Sequence, residues 1–176
     1  MKNWDTERVA QAAGARILAA APGGGGPQRV AIDSRDLAPG DLFIGLAGAR
    51  EDGGRFATQA LEAGAWGVAV RPVFAPRGPQ TGAVLTTEAP LAALQALAHA
   101  WRQELGARVV AVTGSTGKTS TKDILAAVLG AQRRTVASSE NLNTEIGLPL
   151  SVLAAPGDTE VLVLEMAMRG DRLSRG

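Results

Sequence analysis

The most informative part of the sequence is the stretch VVAVTGSTGKTST, residues 109–121. It begins with β-branched residues typical of a buried strand, turns through a glycine-rich loop and continues into an apolar helical pattern. Glycines let backbone N–H groups turn inward around phosphate oxygens, and a helix N-terminus adds unpaired donors with a partial positive charge. The stretch therefore predicts a nucleoside triphosphate site, with an ordinary glycine turn as the alternative.

The loop in this stretch is shorter than the general phosphate-loop pattern G-x-x-x-x-G-K-S/T. Valine stands at position 112, and the first glycine is Gly114. We expect Lys118 to contact the β- and γ-phosphates of ATP, and the Thr119 hydroxyl to bind Mg²⁺. The nucleotide-binding residues predicted from the loop and the start of the helix are Gly114, Ser115, Thr116, Gly117, Lys118, Thr119 and Ser120.

The composition limits the class of protein. A chain of 176 residues with 45% hydrophobic residues can hold one domain of ordinary size or two small ones. The net charge of +1 does not indicate nucleic-acid binding by bulk electrostatics. Cysteine is absent and histidine occurs once, which excludes disulfides, thiol nucleophiles and the usual zinc sites. No apolar run approaches the length of a membrane span. We expect a cytoplasmic monomer without a nucleic-acid or membrane partner.

The first half of the sequence predicts a small α/β unit of short strands. Helices are predicted at residues 4–13 and 56–63, and strands at 30–32, 42–44, 66–70 and 83–86. Residues 21–28, APGGGGPQ, are interpreted as a flexible surface turn, because no Lys-Ser/Thr pair and no helix follow the glycines. This half does not by itself indicate a function.

The second half predicts alternating strands and helices. An amphipathic helix over residues 89–105 leads directly into the strand at 109, so we place it in the second domain. The resulting domains are residues 1–85 and 86–176. Further strands are predicted at 135–137 and 160–166, and a helix at 146–154. Four residues of the helix after the loop are expected to face the sheet: Ile124, Leu125, Val128 and Leu129.

This alternation predicts a mostly parallel sheet with right-handed crossovers. Ligands of such sheets bind at the carboxyl ends of the strands. Glu165 ends an apolar strand at that edge, where a bound Mg²⁺ would offset the cost of burying a carboxylate, so we predict it as a second metal ligand. Asn141 and Asn143 follow the neighbouring strand and suit phosphate or sugar oxygens. The alternative is that Asn143 or Thr144 caps the next helix.

Several blocks of the sequence resemble the bacterial Mur ligases. They are TGSTGKTSTK (113–122), NLNTEIGLPL (141–150), LEMAMRG (164–170), DSR (33–35), PGDLFIGLAG (39–48) and EDGGRF (51–56). Their order along the chain also follows the family, and the first three resemble most the member that uses D-alanyl-D-alanine. Two departures are Ala167, where the family has glycine, and Gly54, where it often has histidine.

The resemblance implies an α/β fold with a small N-terminal UDP-sugar-binding domain, followed by a truncated P-loop domain with a mostly parallel sheet. It also implies a reaction in which ATP converts a carboxylate of UDP-N-acetylmuramoyl-tripeptide to an acyl phosphate. The amine of D-alanyl-D-alanine then displaces phosphate, which forms an amide bond in a precursor of peptidoglycan. The cofactors implied are ATP and Mg²⁺.

The resemblance also implies roles for individual residues. Lys118 would hold the β- and γ-phosphates, while Thr119 and Glu165 would bind Mg²⁺; Lys118 and Glu165 are the catalytic residues implied. The acyl and nucleotide site would be lined by Asn141, Asn143 and Thr144. The uridine diphosphate would be held by Ser34, Arg35, Ala47 and Gly48, and Arg169 is a candidate contact for an anionic substrate.

Family members have a longer central domain and a third domain, so we expect the 176-residue chain to be truncated and unable to turn over alone. The measurement is phosphate release in the presence of both substrates and Mg-ATP. Three other readings stay open. They are a sister ligase that adds a different amino acid, a plain P-loop ATPase or kinase, and a non-catalytic fragment that binds a nucleotide or UDP-sugar.

Overall fold

A computed structural model describes residues 1–139 and 142–166 of the chain. It contains two compact units, Met1–Glu104 and Leu105–Gly176. Within the described ranges, no helix is both long and apolar enough to cross a lipid bilayer. Both units combine helices with mostly parallel strands, which confirms the α/β class predicted from the sequence.

The first unit is built on a five-stranded sheet in the order β1-β5-β4-β3-β2. The strands are β1 (Arg16–Ala19), β2 (Val30–Ala31), β3 (Leu42–Ile44), β4 (Gly67–Val70) and β5 (Ala83–Thr86). Strand β1 pairs antiparallel with β5, and the other neighbours are parallel. β1 was not among the predicted strands, since it is a short, half-exposed strand without a regular apolar alternation.

The three helices of this unit are α1 (Thr6–Ala13), α2 (Ala57–Glu62) and α3 (Pro90–Leu105, within the unit as far as Glu104). The Asp5 side chain caps α1 by accepting a hydrogen bond from the Arg8 N–H. Helix α2 packs Ala60 and Leu61 against a core that includes Phe43 of β3 and Val68 of β4. These helices and strands β2 to β5 lie within about two residues of their predicted ranges.

Helix α3 packs within the first unit, whereas the sequence-based boundary at residues 85/86 placed it in the second. Its Trp101 meets the Trp4 ring edge to face, with the ring centroids 5.7 Å apart. Near its end, Glu104 pairs with Arg8 of α1 at 2.6 Å. The compact units therefore divide after residue 104. The assignment of a UDP-sugar-binding and an ATP-binding role to the two parts remains a prediction.

The second unit contains a three-stranded parallel sheet in the order β6-β8-β7. Its strands are β6 (Arg108–Val112), β7 (Thr135–Ala137) and β8 (Val161–Glu165), and its helices are α4 (Lys118–Gly130) and α5 (Gly147–Leu153). Strand β8 lies in the middle and is buried along its whole length. The central position of β8 brings Glu165 opposite Val112, the last residue of β6.

Two expectations about burial in this unit are wrong. Leu125 and Leu129 of α4 pack against the sheet, but Ile124 and Val128 are each 64% exposed. A helix completes a turn every 3.6 residues, so its side chains point in all directions around its axis. Only some of its apolar residues can therefore face one sheet. Strand β6 is also more exposed than its apolar sequence indicates, since β8 is its only partner among the described strands.

Candidate functional site

The glycine-rich loop joins the end of β6 to the start of α4. Gly114 has φ = +151° and Gly117 has φ = +72°, backbone conformations that residues with a side chain rarely adopt. Helix α4 begins at Lys118, immediately after Gly117. The first N–H groups of a helix have no partner within it, so the start of α4 offers hydrogen-bond donors and a partial positive charge beside the loop. The sequence predicts a phosphate cradle at this loop, and that role remains a prediction.

Lys118 and Thr119 both point from the first turn of α4 into this region. The Lys118 ammonium donates to the Gly114 carbonyl at 2.8 Å, so the side chain folds over the loop. The Thr119 hydroxyl donates to Glu165 Oε2 at 2.9 Å. The structure thus joins the phosphate loop to the end of β8 through a hydroxyl and a carboxylate.

The Glu165 carboxylate accepts hydrogen bonds from two other predicted site residues. It is 9% exposed, and Asn143 Nδ2 donates to its Oε1 at 3.2 Å while Thr119 uses the other oxygen. The backbone N–H of Glu165 donates to the Ser138 hydroxyl at 3.0 Å. A buried carboxylate needs such donors or a cation, because its desolvation is costly. The geometry therefore brings together Thr119, Asn143 and Glu165, three residues selected from the sequence.

The donor set of this region suits Mg²⁺ bound together with a nucleotide. Mg²⁺ prefers hard oxygen ligands and usually takes one or two from the protein, with the rest from phosphates and water. Thr119 and Glu165 offer a hydroxyl and a carboxylate within hydrogen-bond distance of each other. No group of three or more histidine, cysteine, aspartate or glutamate residues occurs in the described parts of the chain, so a self-contained metal cluster is not found there.

The other predicted residues of the second unit are placed less centrally. Ser115, Thr116 and Ser120 are exposed around the loop. The N-cap residue of α5 is Ile146, and the Thr144 hydroxyl accepts a hydrogen bond at 3.0 Å from the N–H of Gly147, the first residue of that helix. Asn141 and Arg169 lie outside the described ranges, 1–139 and 142–166, so their predicted roles are untested.

Two residues of this site were not predicted from the sequence. Lys122, one turn beyond Lys118, is buried and donates to the Ser138 carbonyl at 2.9 Å. Ser138 follows β7, and its hydroxyl accepts from the Glu165 N–H. Ser138 begins a polar stretch that directly follows β7, whereas nothing in the sequence indicates that Lys122 turns inward.

In the first unit, the predicted UDP-binding residues follow the carboxyl ends of two adjacent parallel strands. Ser34 and Arg35 lie in a short 3₁₀ turn after β2, and Ala47 and Gly48 follow β3. Ligands of parallel sheets bind at this edge. Arg35 is 88% exposed and pairs with Asp33 at 2.6 Å, which keeps its guanidinium at the edge. The binding roles of these four residues remain predictions.

The carboxyl end of a third parallel strand, β4, is followed by Arg71 and Phe74, which were not among the residues predicted from the sequence. Arg71, directly after β4, donates to Asp52 at 2.5 Å and lies over the Phe74 ring at 5.3 Å. The Phe74 ring fills the space beside Gly54, since a Cβ added to Gly54 would be 2.6 Å from Phe74 Cδ2. The glycine that departs from the family pattern therefore accommodates an aromatic ring in this chain.

The Asp33–Arg35 pair gives a testable pH dependence. Hydrogen bonds from the Arg35 side chain lower the pKa of Asp33 from 3.8 to about 2. We expect Arg35→Met to return the pKa of Asp33 towards 3.8. Because the pair lowers the pKa in the folded chain, its small stabilising effect is complete above the ordinary pKa and is lost as the pH falls towards 2.

The measurement is a carbon NMR titration of the Asp33 carboxyl in the wild type and in Arg35→Met. Arg77→Met, which removes another exposed arginine of the same unit, is the control and should leave the Asp33 titration unchanged. An Asp33 carboxyl that titrates near 3.8 in the wild-type chain would contradict the ion pair.

Comparison with known proteins assigns both units to one family. The Mur ligase middle domain matches residues 112–175, and the Mur ligase family catalytic domain matches residues 28–102. The UDP-N-acetylmuramoyl-tripeptide–D-alanyl-D-alanine ligase of Bacillus subtilis is 49% identical over 154 residues, covering 83% of this chain and 33% of the relative. The chain therefore spans about a third of the length of the curated relatives it matches.

Solved structures agree with this assignment. MurF of Acinetobacter baumannii superposes with a TM-score of 0.83 at 27% identity, covering 94% of this chain and 35% of that protein. MurF ligase of Thermotoga maritima, solved in complex with ADP, gives a TM-score of 0.68 at 36% identity, covering 79% of this chain and 32% of that protein. Two domain matches, the curated relative and these folds lead to the same result: the chain belongs to the Mur ligase family.

Proposed function

We propose that this chain binds ATP with Mg²⁺ in its second unit and a UDP-sugar in its first, and that it serves an ATP-dependent amide-bond ligase. The ligase would join D-alanyl-D-alanine to UDP-N-acetylmuramoyl-tripeptide during the synthesis of peptidoglycan precursors. Bound Mg-ATP would supply the phosphoryl group that activates the substrate carboxylate. No nucleic acid or membrane partner enters this proposal, and the active form is a cytoplasmic monomer.

The observation that carries the proposal is the hydrogen bond between Thr119 and Glu165, at 2.9 Å. It joins the phosphate loop to the carboxyl end of β8, so the two oxygen groups able to hold Mg²⁺ lie beside the loop that holds phosphate. An ordinary glycine turn between a strand and a helix does not require a buried carboxylate at this place. The pair therefore favours a nucleotide site over a structural turn.

The residues of the second unit bind and orient rather than react. Lys118 would exchange the Gly114 carbonyl for a phosphate oxygen, and its charge would offset the charge on the phosphates. Thr119 and Glu165 would hold Mg²⁺, and Asn143 keeps the Glu165 carboxylate oriented. Phosphoryl transfer depends mainly on such positioning and charge stabilisation, so no protein nucleophile is needed.

The nature of the substrates is supported by the relatives. Those at 49%, 42% and 40% identity carry the name of the D-alanyl-D-alanine-adding ligase. The T. maritima MurF ligase was solved with ADP, which supports nucleotide binding by this chain. At 20% identity, the likeness to a diaminopimelate-adding ligase supports a shared fold alone. The relatives therefore support the addition of D-alanyl-D-alanine over the addition of diaminopimelate.

Calorimetric titration of the purified chain tests both sites. Mg-ADP and UDP-N-acetylmuramoyl-tripeptide are titrated separately into the wild type, Lys118→Met and Arg35→Met. We expect the wild type to bind both ligands. Lys118→Met should weaken only the nucleotide, and Arg35→Met should weaken only the UDP-sugar, because the two residues belong to different units.

The same titration distinguishes the competing functions. A plain ATPase or kinase would bind Mg-ADP and ignore the UDP-sugar. A sister ligase that adds the third amino acid would bind UDP-N-acetylmuramoyl-dipeptide more tightly than the tripeptide. The proposal is overturned if the wild-type chain does not bind Mg-ADP, and also if it does not bind UDP-N-acetylmuramoyl-tripeptide.

A further inference from the structure

Lys122 is a buried cation in the nucleotide-binding unit. Its residue exposure is 4%, although lysine is almost never fully buried without a partner. The ammonium donates to the Ser138 carbonyl at 2.9 Å and lies 3.2 Å from Asp123 Oδ1. The Asp123 side chain is itself mostly exposed. The carbonyl of Ser138 is therefore the inward-facing partner that accounts for the direction of the lysine.

Ser138 connects this lysine to the end of the central strand. Its N–H donates to the Val163 carbonyl at 2.9 Å, which continues the pairing of β7 with β8. Its hydroxyl accepts from the Glu165 N–H at 3.0 Å. Ser138 is 2% exposed, so water does not compete readily for either bond. Ser138 thus accepts a hydrogen bond from the Lys122 ammonium on its carbonyl and another from the Glu165 N–H on its hydroxyl.

These contacts close into a ring. Thr119 and Lys122 are three residues apart on α4, so their side chains lie on the same face of the helix. Thr119 bonds to the Glu165 carboxylate, Glu165 bonds through its N–H to Ser138, and Ser138 bonds to Lys122. We name these four residues the Lys122 ring. The ring ties α4, the end of β7 and the end of β8 to one another.

We propose that Lys122 is a positioning residue which, through Ser138, fixes the Glu165 carboxylate against Thr119 for Mg²⁺ binding. This inference rests on the proposed function, because it assigns a purpose to the Mg²⁺ ligands named there. Lys122 acts through Ser138, whereas Lys118 contacts the phosphates. An apolar side chain of similar length could fill the same space, so the hydrogen bond to Ser138 is what the lysine adds.

The variant that removes this bond is Lys122→Met, which keeps the length of the side chain and loses the ammonium. Ser138→Ala is a second variant, which removes the acceptor of the Glu165 N–H and leaves the carbonyl in place. The control is Lys2→Met, since Lys2 is exposed and lies in the other unit. The ligand is ADP, titrated with and without Mg²⁺.

We expect Mg²⁺ to strengthen ADP binding to the wild type and to Lys2→Met. In Lys122→Met and Ser138→Ala this strengthening should fall by about five- to tenfold, the effect of about one hydrogen bond. The affinity for ADP without Mg²⁺ should stay within about twofold of the wild type, because the loop and Lys118 are intact. Hydrogen exchange of the Glu165 amide, measured by NMR without nucleotide, should accelerate by a similar factor.

The ADP titrations and the hydrogen exchange of the Glu165 amide together test the positioning role of Lys122. Full strengthening by Mg²⁺ in both variants overturns the inference, even if the Glu165 amide exchanges faster, since the ring would then be structural alone. An unchanged Glu165 amide also overturns it. If the wild type fails to bind Mg-ADP, the proposed function fails. Faster exchange of the Glu165 amide in Lys122→Met and Ser138→Ala would then still support the positioning of Glu165 by Lys122 through Ser138.

Discussion

Lys118→Met is expected to weaken Mg-ADP binding by about 10- to 100-fold, which corresponds to the loss of one hydrogen bond to a charged group. Methionine has nearly the length of lysine but carries no charge and no donor for a phosphate oxygen. The bond from Lys118 to the Gly114 carbonyl is also lost, so the loop is held less firmly before the nucleotide arrives. Calorimetric titration of the chain with Mg-ADP measures the change.

The control for this prediction is Lys2→Met, which makes the same replacement at an exposed position of the first unit. It should bind Mg-ADP as the wild type does. Lys118→Met should also keep the affinity for the UDP-sugar. Equal nucleotide affinity in Lys118→Met and the wild type would contradict the role of this loop as a phosphate cradle.

Gly147→Ala is expected to lower the free energy of unfolding of the second unit by about 1–3 kcal/mol, the usual cost of overpacking. A Cβ at this position would be 2.5 Å from Leu142 Cα and 2.6 Å from the Leu142 carbonyl carbon. Those atoms belong to the backbone, so the segment before α5 must move. Asn143 lies in that segment, and its bond to Glu165 should weaken as well.

The matched control is Gly130→Ala, since no atom lies within 4 Å of a Cβ added to Gly130 at the end of α4. It should be neutral or stabilising by up to about 1 kcal/mol, because alanine favours a helix. Hydrogen exchange of the β8 amides measures the stability of the second unit.

Tryptophan fluorescence provides an internal reference for the Gly147 variant. Trp4, Trp66 and Trp101 all lie in the first unit, so the unfolding midpoint seen by fluorescence should not change. Equal protection of β8 in Gly147→Ala and Gly130→Ala would show that the close approach to Leu142 is relieved without cost.

Local patterns predicted every helix and strand described above except β1, and they selected the residues of the candidate nucleotide site. The alternation of apolar strands with helices indicated a parallel sheet, and a polar residue at the end of a strand indicated which edge binds ligands. The structure confirms that Thr119, Asn143 and Glu165 meet there. This was predictable because the edge of a parallel sheet follows from strand direction alone.

Contacts between distant residues could not be predicted in the same way. Right-handed crossovers are compatible with several strand orders, so the central place of β8 did not follow from the sequence. The inward direction of Lys122 depends on a carbonyl sixteen residues away. The glycine stretch at 21–28 was interpreted as a flexible turn, yet Gly26 is held by the Lys2 carbonyl at 2.8 Å and Gly25 accepts from the Trp66 indole at 3.0 Å.

The strand order of the second unit has a consequence for how this part of the chain folds during synthesis. Strands β6 and β7 each pair with β8, and no pairing between them occurs in the described residues. Residues 161–165 leave the ribosome after both partners, so neither β6 nor β7 has a strand to pair with until β8 emerges. Pairing over such sequence separations is slow. Because β8 is the last of the three described strands to emerge, Glu165 can meet Thr119 only after residue 165 has left the ribosome.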